Sequence, residues 1–299
     1  MAMPSPASLK TSASTSGRAP FDILAPAVQT TPAVFVSAHS GAEYDPAFVA
    51  TSRLDMLTLR RSEDSFVDEL YSDAPSYGAP LLRAHFPRVF LDPNREPWEL
   101  DPAMFEDELP AFVNTTSLRV AGGLGTIARV VSNGAEVYRQ KLRFAEAERR
   151  IRTYYIPFHE AIQDLLASTV ERFGSALLID CHSMPSVGGP MDRDPGHERA
   201  DIVLGDRYGT SCAKAVTDMA EAVLSKAGYR VARNDPYAGG FTTRNYGRPN
   251  AGVHALQIEI KRSLYMDEGR IARLPGLTRV RDNVAALIET LASLNIAAL

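Results

Sequence analysis

Two histidines close apolar runs in this chain. His39 ends Ala33-Val34-Phe35-Val36-Ser37-Ala38-His39, and His182 ends Ala176-Leu177-Leu178-Ile179-Asp180-Cys181-His182. A buried strand that runs straight into an imidazole delivers a ligand-capable side chain to the crevice beyond the carboxyl ends of an open α/β sheet. Ser40-Gly41 follows His39 with small residues that let a ligand approach the backbone, and Asp180 before His182 is a carboxylate placed to orient an imidazole or its loop. The structural alternative is that both histidines only cap strands. His85, His159, His197 and His254 have no comparable position.

A hydrolytic zinc site needs three protein ligands and one position open to water, so two histidines call for a carboxylate. Glu43, four residues beyond His39, and the adjacent pair Glu63 and Asp64 are the candidates. Glu63 and Asp64 fall near the start of an expected helix, where the helix dipole favours carboxylates without any metal. A second kind of carboxylate stands in Leu256-Gln257-Ile258-Glu259-Ile260, alternating with large aliphatics. Burial raises the pKa of such a group towards neutrality and suits it to act as a general base. The competing reading is a buried ion pair with Arg244, Arg248 or Arg262. Cys181 beside His182 is a poor nucleophile–base pair, because neighbours in a strand point to opposite faces.

Arg88, Arg95, Arg129, Arg244 and Arg248 lie in segments rich in Pro, Gly or Asn. A guanidinium holds a carboxylate through a fixed fork of donors, so these arginines suit a small acidic ligand. The loop Asp235–Pro249, dense in Gly, Tyr and Arg, has the composition of a segment that closes over substrate.

The elements that must position these groups alternate. Strands are expected at Val34–His39, within Leu81–Leu91, at Ala176–His182, at Tyr229–Ala232 and at His254–Ile260. Helices are expected at Ser62–Ala74, over Lys141–Phe173 with a break at Pro157 and a stop at Gly174, at Ser211–Lys226 and at Leu277–Leu294. Glu96–Gly134 shows no sustained period and reads as an irregular excursion over the sheet. Strands alternating with helices imply an α/β fold with a mostly parallel or mixed sheet flanked by helices. One domain is expected over residues 23–299, after a flexible tail over residues 1–22 that is rich in Ser, Ala and Pro and has no apolar core of a secretory signal.

The 299 residues, 45% hydrophobic, are enough to bury a sizeable core. A net charge of −4 gives no bulk attraction to nucleic acid or to an anionic membrane, and no apolar stretch is long enough to span a bilayer. Two cysteines fit a reducing, cytoplasmic setting.

Together His39-Ser40-Gly41, Asp92-Pro93-Asn94-Arg95, Asp180-Cys181-His182-Ser183, Gly239 through Pro249 and Gln257-Ile258-Glu259 resemble the N-formylglutamate amidohydrolase family, over about Pro32 to Glu268. The resemblance implies a zinc-carboxypeptidase or aspartoacylase type of α/β fold and hydrolysis of N-formylglutamate to formate and glutamate in histidine breakdown. It implies one divalent metal, zinc or another, on His39, His182 and a third ligand. The related carboxypeptidase pattern puts a glutamate at the position occupied here by Ala42. Glu63-Asp64 resembles an acidic segment of the formylglutamate family, and Asp64 is taken as the third ligand. By the same resemblance Glu259 is the base, Arg88 polarises the carbonyl, and Asn94, Arg95, Arg244 and Arg248 bind the substrate carboxylates. A zinc amidase for another N-acyl amino acid, or a non-catalytic acid-binding protein on the same scaffold, would keep much of this pattern.

Overall fold

The computed structural model describes residues 19–298 apart from residue 191. Seven strands form one sheet: β1 (Phe21–Leu24), β2 (Ala33–Ser37), β3 (Leu81–Ala84), β4 (Ala176–Met184), β5 (Ile202–Gly205), β6 (Val231–Arg233) and β7 (Val253–Lys261), in the order β1-β3-β2-β4-β7-β5-β6. The pairs β3–β2, β2–β4, β4–β7 and β5–β6 are parallel, whereas β1–β3 and β7–β5 are antiparallel. The sheet is therefore mixed with a parallel centre, as expected.

Every residue of β2 and β4 is buried, which explains why both read as continuous apolar runs rather than alternating ones. Val34, Val36 and Leu178 face one core with Phe158, Ile162 and Leu166 of the helix Ile156–Phe173. Phe35, Leu177, Ile179 and Ile258 face the other core, with Val216 and Leu224 of the helix Lys214–Lys226 and with Val284 and Leu287 of the helix Gly276–Ala292.

The long expected helix before β4 is present, with a break ahead of Pro157. Phe144–Arg150 passes through a π-helical turn, Ile151–Tyr155, into Ile156–Phe173. Proline lacks the N–H and crowds the preceding turn, and the wider turn just before it accommodates both. Gly174, with φ 76°, ends the helix in the left-handed conformation.

Three expectations change. The helix over Ser62–Ala74 is replaced by two short helices, Met56–Arg60 and Val67–Leu70, and a 3-10 turn, Ala74–Tyr77. Asp64 lies between the two helices, where its N–H donates to the His39 carbonyl at 3.0 Å, so tertiary contact overrides helical propensity. β5 has no counterpart among the expected strands, being a four-residue apolar run. Of the expected tail, residues 1–18 lie outside the described residues, while Phe21 and Asp22 belong to β1, held by Arg83 Nε donating to Asp22 Oδ1 at 2.7 Å. No described helix is long and apolar enough to cross a membrane.

Candidate metal centre

His39 follows the end of β2, and His182 lies near the end of the adjacent parallel strand β4. This pairing sets the two imidazole centroids 4.7 Å apart. The bend after His39 is tight. A Cβ on Gly41 would run into the Phe86 carbonyl, so this glycine is required by the chain's own close approach.

Asp64 completes the cluster. Its Oδ2 is 2.9 Å from His182 Nδ1 and 3.3 Å from His39 Nδ1, and one ligand atom from each of the three residues lies within 4.8 Å of the others. All three are buried. The outer nitrogens face carboxylates: His39 Nε2 is 2.8 Å from Asp92 Oδ1, and His182 Nε2 is 2.9 Å from Asp180 Oδ1. A proton on His39 Nε2, shared with Asp92, leaves its Nδ1 lone pair directed inwards, the arrangement by which carboxylates orient metal-ligating histidines. His39 Nδ1 is buried without a hydrogen-bond partner. That orphaned acceptor and the two-nitrogen, one-oxygen donor set fit a zinc-like divalent ion.

Arg262 and Arg88 hold the carboxylates. Arg262 Nη2 donates to Asp64 Oδ1 at 2.9 Å, leaving Oδ2 to the imidazoles, and its Nε donates to Ser183 Oγ at 3.2 Å. Arg88 Nη2 donates to Asp92 Oδ2 at 2.7 Å and its Nη1 lies 3.9 Å from Asp64 Oδ1. Burial alone would raise the pKa of Asp64, but the hydrogen bond with His182 and the charges of His39 and His182 hold it well below the usual carboxylate range. Asp92 is likewise held well below, its burial outweighed by Arg88, Arg95 and His39. For His182, burial is outweighed by Asp180 and Asp64, and its pKa is raised well above the ordinary value. A cation at Asp64 Oδ2 and the two Nδ1 atoms would take the place of that proton.

Glu259 is opposite His182 in the β4–β7 register. It is buried and makes no ion pair among the described residues; Gln257 Nε2 donates to its Oε1 at 2.9 Å. Burial, reinforced by the charge of Asp64 and opposed by His182, Arg88 and Arg262, raises its pKa to about 7. Arg262, a possible partner for Glu259 in the sequence, bonds Asp64 instead.

The other sequence candidates separate. Glu63 is buried in a structural knot, bound by Arg60, by the Tyr44 hydroxyl at 2.7 Å and by Ser65 Oγ at 2.6 Å. Neither Glu63 nor Glu43 belongs to the His39–Asp64–His182 group. The Asn94 amide lies against the centre: Nδ2 donates to Asp180 Oδ2 at 3.3 Å, and Oδ1 accepts from the Thr242 N–H at 2.8 Å. Arg95 is 3.5 Å from Asp92 and donates to the carbonyls of Leu124 and Asn94 at 2.9 Å each. Arg244 and Arg248 line an outer groove with Trp98, Phe112 and Phe241; Arg244 pairs with Glu96, and Arg248 donates to the Arg244 and Gly247 carbonyls. Arg129 pairs with Asp101 at 2.7 Å. The roles of Asp92 and Arg262 were missed in the sequence. Asp92 sat within a recognised motif, but its partner His39 is 53 residues away.

Residues 31–266 match the N-formylglutamate amidohydrolase family. The chain is 33% identical over 236 residues to an N-formylglutamate deformylase of Pseudomonas aeruginosa, covering 77% of this chain and 80% of that protein. It is 28% identical to one from Pseudomonas putida, covering 69% and 71%. Its structure is similar to a crystal structure of N-formylglutamate amidohydrolase from Ralstonia eutropha, with TM-score 0.86, 36% identity, and 94% and 99% of the two chains covered. A gene product of Agrobacterium tumefaciens shares the fold at TM-score 0.68 and 18% identity, over 94% of this chain and 98% of that one. The chain belongs to the N-formylglutamate amidohydrolase family.

Proposed function

We propose that this chain is a metal-dependent amidohydrolase that cleaves the formamide bond of N-formyl-L-glutamate, releasing formate and L-glutamate. The observation that carries the reading is the convergence of His39, Asp64 and His182, with Glu259 opposite His182 in the strand register and poised near neutral pKa. A divalent ion, zinc by its donor set, would be held by Asp64 Oδ2 and the two Nδ1 atoms, and supplies a Lewis acid that acidifies water and polarises a carbonyl.

The protein's own groups supply the proton transfers. Glu259 as carboxylate takes a proton from the attacking water as its oxygen bonds to the formyl carbon. The same group, now protonated, gives that proton to the amide nitrogen as the C–N bond breaks. Arg88, 3.9 Å from Asp64, is the guanidinium assigned to the developing oxyanion. Asn94 and Arg95 take a substrate carboxylate next to the centre, and Arg244 and Arg248 line the approach.

The same centre would serve other N-acyl amino acids, so the decisive assay is a panel of formyl, acetyl and succinyl derivatives of glutamate and aspartate on the zinc-loaded protein. Turnover of N-formyl-L-glutamate well above the others is expected. A preference for an acetyl or succinyl substrate would reassign the acyl group.

A further inference from the structure

The turn that carries Asn94 and Arg95 is approached by two arginines that no motif singled out. Arg95 Nε donates to the Leu124 carbonyl, and the Leu124 N–H donates to the Arg119 carbonyl at 2.8 Å, which brings the helix Leu118–Ala121 alongside. From another segment, Gly240 is pressed against Asn94, where a Cβ would meet the amide at 2.5 Å. The neighbouring Gly239 carbonyl accepts from Arg207 Nη1 at 3.2 Å, and a Cβ on Gly239 would meet Arg207 Cγ at 3.0 Å.

Charge around this turn is unbalanced. Arg88 and Arg95 share Asp92, and Arg244 has Glu96. Arg119 and Arg207, both half-buried, form no ion pair among the described residues. The crowding is felt: burial, then the like charges of Arg244 and Arg119, hold the Arg207 guanidinium below its ordinary pKa. Burial brings Arg95 down to about 10, with Arg119 and Arg88 acting against Asp92. The backbone supports the placement. Arg207 and Tyr208 are consecutive non-glycine residues in the left-handed region, at φ 53° and 56°. Asn234 Oδ1 holds them there, accepting from the N–H groups of Asp206 at 3.1 Å and Tyr208 at 3.3 Å. Conformations of this kind persist where surroundings over-determine them, and they cluster at ligand clamps.

We propose that Arg119 and Arg207 form an anion subsite beside Arg95 that takes the side-chain carboxylate of the substrate. The assignment rests on the deformylase reading above. The α-carboxylate, adjacent to the scissile nitrogen, stays near the metal centre and falls to Asn94 and Arg95. The side-chain carboxylate extends further and meets the two guanidiniums, which pair with no carboxylate among the described residues. Arg119 and Arg207 are thus specificity-determining residues that favour a dicarboxylate over its neutral amide.

The test compares N-formyl-L-glutamate with N-formyl-L-glutamine on zinc-loaded wild type, Arg119→Met, Arg207→Met and the double variant. Each substitution should cut kcat/KM for the glutamate substrate about 10- to 100-fold, mainly through KM, and leave the glutamine substrate within about twofold. Equal losses on both substrates, or no loss on formylglutamate, would overturn the subsite. If wild type releases formate from neither substrate, the deformylase reading has failed, and calorimetry with glutarate against butyrate tests the subsite alone. Glutarate should bind wild type at least about tenfold tighter than butyrate, and the margin should vanish in the double variant; equal binding of the two acids by wild type overturns it. Arg119→Met, on a short helix in the excursion, keeps both tests available should Arg207→Met fail to fold.

Discussion

Glu259 and His182 stand directly opposite each other in the register of two paired parallel strands, β7 and β4. A candidate base is therefore fixed by backbone hydrogen bonds relative to a candidate metal ligand. Gln257, two residues earlier on the same face, donates to the Glu259 carboxylate at 2.9 Å.

Glu259→Gln is expected to lower kcat by about 10²- to 10⁴-fold while metal content and substrate affinity stay near wild type. Steady-state kinetics with metal analysis and calorimetric substrate binding check this. Near-normal turnover would remove Glu259 from the reaction.

The same carboxylate sets a pH dependence. As a base it must be deprotonated, so kcat/KM should rise with pH along a limb centred near its pKa of about 7. A pH profile flat from 5 to 8 would contradict the assignment.

Stability runs the other way. A carboxyl whose folded pKa is raised from 4.5 to about 7 keeps its proton in the folded state after the unfolded chain has lost it. Stability from this group is intact below 4.5 and declines as pH climbs to about 7, by about 3 kcal/mol. In metal-free protein, Glu259→Gln should therefore melt higher than wild type at pH 8 and close to it at pH 5. Equal melting temperatures at both pH values would show that Glu259 is not held neutral by burial.

Asp64→Ala should lose bound metal, whereas Glu63→Ala and Glu43→Ala should keep it. Glu63→Ala should instead lower the melting temperature, because it leaves Arg60, Tyr44 and Ser65 without their shared acceptor. Metal retention by Asp64→Ala would exclude Asp64 as the third ligand.

Much of this was legible in the sequence because the parallel centre of the sheet writes itself as uninterrupted apolar runs, and His39 and His182 end two of them. Glu259 was legible because a carboxylate amid aliphatics in a strand has few inexpensive places to be. Asp64 could be taken as third ligand only through family resemblance, since its place is set by a bend between two short helices and a hydrogen bond to the distant His39 carbonyl. Asp92 and Arg262 reach their partners across long chain separations, which spacing along the sequence does not encode. β5 escaped notice because four apolar residues carry too little period to mark a strand.

If His39, Asp64 and His182 hold the metal on which formylglutamate hydrolysis depends, activity must follow that metal. The measurement is formate release from N-formyl-L-glutamate, followed through chelation and stepwise return of zinc. Activity should disappear with the metal and return in full at one equivalent in wild type, with no return in Asp64→Ala. Full formate release from protein verified to be free of metal would show that hydrolysis does not depend on these ligands holding a metal.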